Sequence, residues 1–263
     1  MLTVRGLIVL TASFISLSPL VAAVSSNTKI NSFNKAKRHM AEVYKGAEQT
    51  FYCGCKYTGK QVDHKSCAYK PRNPKNKRAH RVEWEHVVPA WDFGRAFPEW
   101  RDGHPSCVDS KGKKFKGRNC ARKVSQTFRL MESDLYNLVP AIGEVNGDRS
   151  NKPAVKILNK VKLNDYGACK TLISQDGVEP RDEMKGFVAR TYKYMNAAYP
   201  GKGIISRKNQ KLFDAWDASY PPGKDEIERA KRIEAIQGNQ NTFVIKDLSA
   251  KNAAQPAAKV TRK

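Results

Sequence analysis

The most informative stretch of the sequence is residues 81–92, Arg-Val-Glu-Trp-Glu-His-Val-Val-Pro-Ala-Trp-Asp. Apolar and charged residues alternate at the start of this stretch, which is typical of a half-buried strand. The strand ends in a carboxylate, Glu85, that is followed directly by an imidazole, His86. Adjacent side chains of a strand point to opposite faces, so the two diverge unless the chain bends at 87–89 or a metal is reached from the strand's edge.

A second polar cluster lies further along the chain, at residues 143–151. We predict a strand at 135–139 and a turn at 140–143 that leads into a short helix, which Pro153 must limit. Asn146 lies on that helix although Asn is a poor helix former, which indicates that its side chain has a role other than forming the helix. The order strand, connection, strand, short helix predicts an α+β fold with a metal-finger nuclease core.

The charge of the chain indicates a polyanionic partner. The sequence has 48 Lys+Arg against 25 Asp+Glu, a formal net charge of +23. The basic residues are spread along the chain rather than along one amphipathic helix, which favours nucleic acid over a membrane surface. Charge does not separate binding from cleavage, but an oxygen ligand, an imidazole and an Asn are the groups that hold Mg²⁺ at a phosphodiester and activate water. The combination indicates a nuclease.

The amino terminus predicts export. Arg5 precedes an apolar stretch that runs to Leu20, and small residues follow at 21–23, so residues 1–23 are predicted to be a signal peptide. Polar residues and Pro19 interrupt the stretch, which argues against a transmembrane anchor. We expect a mature protein that is periplasmic or secreted and not membrane-bound.

The rest of the chain predicts one nuclease domain, residues 24–248, and a basic disordered tail, residues 249–263. Apolar periodicity predicts a helix after Ser32, two helices between 188 and 220 and another at 225–236. Trp84 and Trp91 are predicted to pack in the core.

An exported chain with an even number of thiols is expected to form disulfides. Three bridges are predicted, and the pair Cys107 with Cys120 is favoured because it closes a polar loop. The other pairings stay open, although these cysteines are expected to tie the amino-terminal region to the later half. A structural metal that involves His104 and Cys107 is the alternative. The six cysteines are Cys53, Cys55, Cys67, Cys107, Cys120 and Cys169.

The sequence also resembles a known family. Residues 81–91 and 131–151 closely resemble the bacterial endonuclease I family of periplasmic and secreted nucleases, and similarity extends over 51–244 with further motifs at 189–192 and 236–239. The resemblance implies a ββα-metal fold and Mg²⁺-dependent hydrolysis of DNA and RNA with little sequence preference, leaving 5′-phosphate. Mn²⁺ or Ca²⁺ are expected substitutes for Mg²⁺, and the protein is expected to be a monomer.

The resemblance also implies residue roles. His86 corresponds to the general base, Glu85 and Asn146 to the protein ligands of the metal, and a loop arginine to the group that steadies the scissile phosphate or leaving group. Arg118 is the expected arginine, but the run Gly-Arg-Asn-Cys at 117–120 is one residue shorter than the family's pattern. Arg122 and Lys116 are therefore alternatives.

Two further polar residues are candidates for an indirect role. Glu132 and Asn137 could orient His86 or a bound water, and capping of a turn is the alternative.

Two other classes of function remain open at this point. A secreted DNA-binding or DNA-uptake protein without catalysis would explain the charge, and would leave plasmid intact in the presence of Mg²⁺. A metal-dependent phosphatase acting on small phosphoesters would not need the basic surplus.

Overall fold

The computed structural model describes residues 24–158 and 165–245, so the predicted signal peptide and tail lie outside the described residues. Within this part of the chain the helices are α1 (Phe33–Val43), α2 (Ala90–Gly94), α3 (Pro98–Arg101), α4 (Arg118–Val124), α5 (Gln126–Glu132), α6 (Gly143–Arg149), α7 (Asp182–Ala198), α8 (Arg207–Ser219) and α9 (Lys224–Gln237). The strands are β1 (Tyr57–Thr58), β2 (Gln61–Val62), β3 (Val82–His86), β4 (Leu138–Ile142), β5 (Leu172–Ile173) and β6 (Val178–Glu179). None of the described helices has the length and apolar character needed to cross a bilayer.

The antiparallel pair β3 and β4 positions the candidate site. Glu85 lies opposite Val139 and His86 lies opposite Leu138. Every residue of β4 is buried, so this strand anchors the pair in the hydrophobic core. Helix α6 follows β4 directly and packs against both strands. The predicted mixture of helices and strands, α+β, is confirmed.

The predicted bounds of β4 were wrong. The strand begins at Leu138, because the preceding residues, Leu135–Asn137, form a 3₁₀ turn in which the Asp134 carboxylate accepts from the Tyr136 N–H. Pro140 lies inside β4 opposite Trp84, where we had predicted a turn. In the described part of the chain β3 is the only strand that pairs with β4, so the missing N–H of Pro140 leaves no third strand unpaired there.

Helix α1 confirms the prediction made from its apolar stripe. Ser32 occupies the amino-terminal cap position, and Ala36 and Met40 are fully buried on the inner face. This burial fixes α1 against the rest of the core. Phe33 is the first residue of the helix.

The later helices are joined by buried polar groups. The Arg190 guanidinium of α7 binds Asp217 of α8 at 2.9 Å and Glu226 of α9 at 2.6 Å. Gln237 donates to Asp134 at 3.0 Å, linking the end of α9 to the turn that precedes β4. The motifs at 189–192 and 236–239 thus contain residues that hold the helices together.

All six cysteines lie in the described part of the chain and form three disulfides. The favoured pair, Cys107–Cys120, is confirmed. Cys53–Cys169 joins residues 116 positions apart and ties the amino-terminal region to the later half, as expected. For Cys55 and Cys67 that expectation was wrong, because they pair with each other and close a short loop. The alternative of a metal held by His104 and Cys107 is wrong, because the Cys107 sulfur is consumed in a disulfide.

Of the two tryptophans predicted to pack in the core, one does so. Trp84 is partly buried against the core, 5.9 Å from the Tyr44 ring. Trp91 is 43% exposed, so its assignment to the core was wrong. The Arg95 guanidinium covers one face of the Trp91 ring at 4.7 Å. On the short helix α2 the inward positions belong to Asp92 and Phe93.

Candidate active site

His86 ends β3 in a nearly closed environment, with 6% of its surface exposed. Its Nε2 lies 2.8 Å from the backbone carbonyl oxygen of Glu132. A carbonyl only accepts hydrogen bonds, so Nε2 carries the proton and Nδ1 of the neutral ring carries the lone pair. The Phe33 ring is stacked on the imidazole, with 4.9 Å between ring centroids.

The environment of His86 favours the neutral imidazole. Burial lowers its pKa to about 4, and the positive charge of Arg118 acts in the same direction. The carbonyl and the charge of Glu132 oppose this shift without reversing it. The ring is therefore unprotonated at neutral pH, as a proton acceptor must be.

Glu85, the residue before His86, forms an ion pair with Arg149 of α6. The Arg149 guanidinium donates to the Glu85 carboxylate, to the His86 carbonyl at 2.6 Å and to the Val87 carbonyl at 2.7 Å. Burial raises the pKa of Glu85, and the charge of Arg149 only partly offsets this effect. Arg149 thus holds the Glu85 side chain and fixes the backbone that leaves the catalytic candidate His86.

Asn146 lies on the same side of β3 as Glu85, one turn before Arg149 on α6. Its Nδ2 donates to Glu83 at 3.1 Å. Within the described residues no hydrogen bond joins Asn146 to Glu85, and its Oδ1 accepts none. Glu83 is itself held by Arg78 at 2.6 Å and by Arg81 at 2.8 Å.

These donors suit Mg²⁺ in their chemistry. The Glu85 carboxylate and the Asn146 amide group carry hard oxygen donor atoms, and Mg²⁺ commonly keeps several waters beside one or two protein ligands. Among the described residues no three His, Cys, Asp or Glu side chains converge as a closed protein cage would require. A site with two protein ligands and water is compatible with this donor set.

Glu132 gathers two arginines beside His86. Its buried carboxylate accepts from the Nε of Arg118 and from the Nε of Arg122, the latter at 2.6 Å. Burial alone would raise the pKa of Glu132, but the hydrogen bond from Arg122 and the charge of Arg118 lower it overall. The ion-paired carboxylate therefore holds both guanidinium groups at the edge of the site.

Arg118 and Arg122 are not equivalent. Arg118 is the first residue of α4, and its Nη2 is a buried donor with no partner among the described residues. The charge of Arg118 influences both Glu85 and His86. Lys116, the third candidate, is exposed.

Asn137 acts on the backbone that follows His86. Its side chain accepts from the Val88 N–H at 2.7 Å and donates to the Val88 carbonyl at 3.0 Å. These bonds fix the chain as it leaves β3, and they do not involve the imidazole.

Sequence reasoning did not assign roles to Phe33, Glu83 or Arg149. Arg149 follows Asn146 by three residues, so their shared helix face was a usable signal. Glu83 shares a strand face with Glu85 by the same type of periodicity. No local sequence pattern could predict the contact between Phe33 and His86, because it depends on how α1 packs against the rest of the protein.

A neutral buried imidazole, oxygen donors and two arginines suit an enzyme that hydrolyses phosphate esters. The model of the Endonuclease I family matches residues 24–247 of this chain. An extracellular deoxyribonuclease of Aeromonas hydrophila is 40% identical, covering 88% of this chain and 95% of that protein. A periplasmic deoxyribonuclease of the same species is 39% identical, with 88% and 93% covered. Endonuclease-1 of Buchnera aphidicola subsp. Acyrthosiphon pisum is 42% identical, with 82% of each chain covered.

The chain therefore belongs to the Endonuclease I family and is an endonuclease. The names of the two Aeromonas relatives agree with the predicted periplasmic or extracellular location.

Proposed function

We propose that this chain is an exported, Mg²⁺-dependent endonuclease that hydrolyses phosphodiester bonds of DNA and RNA with little sequence preference, leaves 5′-phosphate and acts as a monomer. The observation that carries the proposal is His86, whose Nε2–H is held by the Glu132 carbonyl while Nδ1 remains the proton acceptor. The strand, strand, helix order of β3, β4 and α6 supports a ββα-metal core.

The proposed mechanism assigns one task to each group. His86 Nδ1 takes a proton from the attacking water as the water oxygen bonds to phosphorus, and the Glu132 carbonyl stabilises the imidazolium that forms. The P–O3′ bond breaks in the same displacement, so the phosphate stays on the 5′ side, and the leaving 3′-oxygen takes up a proton from solvent. Arg118 offers its Nη2, which has no hydrogen-bond partner among the described residues, to a phosphate oxygen, where developing negative charge strengthens the bond. Glu85 and Asn146 would hold Mg²⁺, which supplies charge stabilisation at the phosphate.

The basic surplus supports nucleic acid as the substrate class. Phosphate contacts by many Lys and Arg side chains give binding that depends on salt and little on sequence. The names of the Aeromonas relatives specify deoxyribonucleases, which supports DNA as one substrate.

The direct test incubates the purified mature protein with supercoiled plasmid and, separately, with RNA. Both should be degraded in Mg²⁺, protected by EDTA and degraded again when Mg²⁺ is restored in excess. Intact plasmid under all conditions would refute the proposal, and degradation of plasmid alone would refute its RNA component.

The ligand assignment is tested by Mg²⁺ titration of activity. Glu85→Ala and Asn146→Ala should raise the Mg²⁺ concentration needed for half-maximal cleavage, by ~10-fold or more. Glu83→Gln is the matched comparison, because Glu83 occupies the same strand face and contacts Asn146. If Glu83→Gln shifts the titration and Glu85→Ala does not, Glu83 is the ligand.

A further inference from the structure

Phe33 is the side chain through which helix α1 reaches the candidate active site. Its ring lies on the His86 imidazole with an angle of 27° between the two planes. Phe33 is only partly buried, although it packs against the core. A residue that served the core alone would gain more from full burial, so the contact with His86 needs an explanation.

The Phe33 ring also faces three cations. The Lys37 ammonium lies 5.1 Å from its centroid, and the guanidinium carbons of Arg118 and Arg122 lie at 5.7 Å and 6.0 Å. Cations at such distances are attracted by the negative face of an aromatic ring. One aromatic side chain thus touches the proposed base and both arginines bound to Glu132.

The hydrogen bond from Nε2 to the Glu132 carbonyl does not by itself fix the imidazole. One such bond leaves the ring free to rotate about the line that joins donor and acceptor. A stacked ring on one face removes this freedom. The backbone position of Phe33 is itself fixed, since Ala36 and Met40 bury the inner face of α1.

We propose that Phe33 is a positioning residue of the nuclease reaction, which holds the His86 ring so that Nδ1 faces the attacking water and keeps Arg118 and Arg122 beside it. This inference rests on the proposed general-base role of His86. It assigns to α1, which lies outside β3, β4 and α6, a part in the geometry of the chemical step.

The test compares Phe33→Ala, Phe33→Leu and Phe33→Tyr. The Leu variant keeps apolar volume if the Ala variant folds poorly, and the Tyr variant keeps the ring. Lys35→Ala is the matched control, because Lys35 is exposed on the same helix and does not contribute to the burial that fixes α1. His86→Ala serves as the reference for the base.

Two readouts separate positioning from folding. The first is kcat and KM on plasmid DNA, and the second is the Nε2–H signal of His86 in the NMR spectrum of histidine-labelled, metal-free protein. Phe33→Ala and Phe33→Leu should lower kcat about tenfold or more, with a smaller change in KM, because a misplaced group loses effective concentration. The same two variants should lose the Nε2–H signal to solvent exchange.

The Tyr variant and the Lys35→Ala control should keep both the parent's kcat and the imidazole signal. If His86→Ala is inactive while Phe33→Ala matches the parent in kcat and imidazole signal, the positioning role of Phe33 is refuted and the general-base role of His86 is retained. If His86→Ala keeps the parent's kcat, the general-base proposal fails and the inference fails with it.

Discussion

At the scale of single residues, two arginines compete for one role. Arg118 and Arg122 share the Glu132 carboxylate, but only Arg118 has a buried donor without a partner among the described residues. We expect Arg118→Ala to lower kcat by ~10² or more, since its contact with phosphate strengthens in the transition state. Arg118→Lys should recover part of the loss, because charge remains and the planar fork is lost.

Arg122→Ala is the control in the same steady-state assay. It should raise KM more than it lowers kcat, as expected for a group that binds phosphate equally in the ground and transition states. A collapse of kcat in Arg122→Ala with a mild effect in Arg118→Ala would assign the role to Arg122 instead.

Asp92 predicts a pH dependence of stability. Burial raises the pKa of Asp92 to about 6, and the charges of Arg149 and Arg95 oppose this shift only in part. The folded state therefore binds the Asp92 proton more tightly than the unfolded state does. The resulting stabilisation is present below the unfolded pKa, near 3.8, and is lost as pH rises through about 6.

Asp92→Asn removes this titration and should increase the free energy of unfolding at pH 7–8, by up to about 3 kcal/mol. The advantage should shrink towards pH 4, as measured by urea unfolding across the pH range. Asp102→Asn, at a side chain that is 69% exposed, is the control and should leave stability nearly unchanged. A gain in Asp92→Asn that does not depend on pH would contradict the argument.

At the scale of elements, Arg149 joins α6 to the end of β3. The side chain of Arg149 is 1% exposed and that of Glu85 is 8% exposed, so their ion pair is buried. Arg149→Ala leaves a buried carboxylate without its partner and should lower the free energy of unfolding by about 3–5 kcal/mol. Urea denaturation measures this directly.

Arg72→Ala is the control for that substitution, because Arg72 pairs with Asp148 of the same helix while 43% exposed. Its loss should cost less than about 1 kcal/mol. Equal effects of the two substitutions would mean that the buried pair does not hold α6 to β3.

The elements also show what the sequence could predict. Alternation of apolar and charged residues predicted β3, and periodicity predicted α1, because both patterns are local. Residues 135–137 were misassigned to a strand, since the capping bonds of Asp134 that favour a 3₁₀ turn compete with a similar apolar pattern. The stacking of Phe33 on His86 and the exposure of Trp91 depend on tertiary docking, which no local pattern reports.

At the scale of the whole molecule, disulfides of unequal span predict unequal stabilisation. Cys53–Cys169 is separated by 116 positions and Cys107–Cys120 by 13. In the chain-entropy model, the longer loop contributes about 5 kcal/mol and the shorter one about 3 kcal/mol. Replacing Cys53 and Cys169 by Ala should therefore lower Tm more than replacing Cys107 and Cys120. The opposite order in calorimetry would show that local packing, not loop length, dominates.

At this scale, the binding of nucleic acid and its cleavage depend on different sets of residues. Affinity for nucleic acid depends on many basic side chains in a chain of net charge +23, whereas proton transfer depends on one imidazole. Loss of that imidazole should therefore abolish cleavage and leave binding almost intact.

The most direct test of this account is single-turnover cleavage of plasmid DNA by His86→Ala in Mg²⁺, with DNA affinity measured in the same buffer. We predict that the cleavage rate falls by ~10² to 10⁴ while Kd stays within about threefold of the parent. A cleavage rate close to that of the parent, or a loss of affinity as large as the loss of rate, would contradict the account.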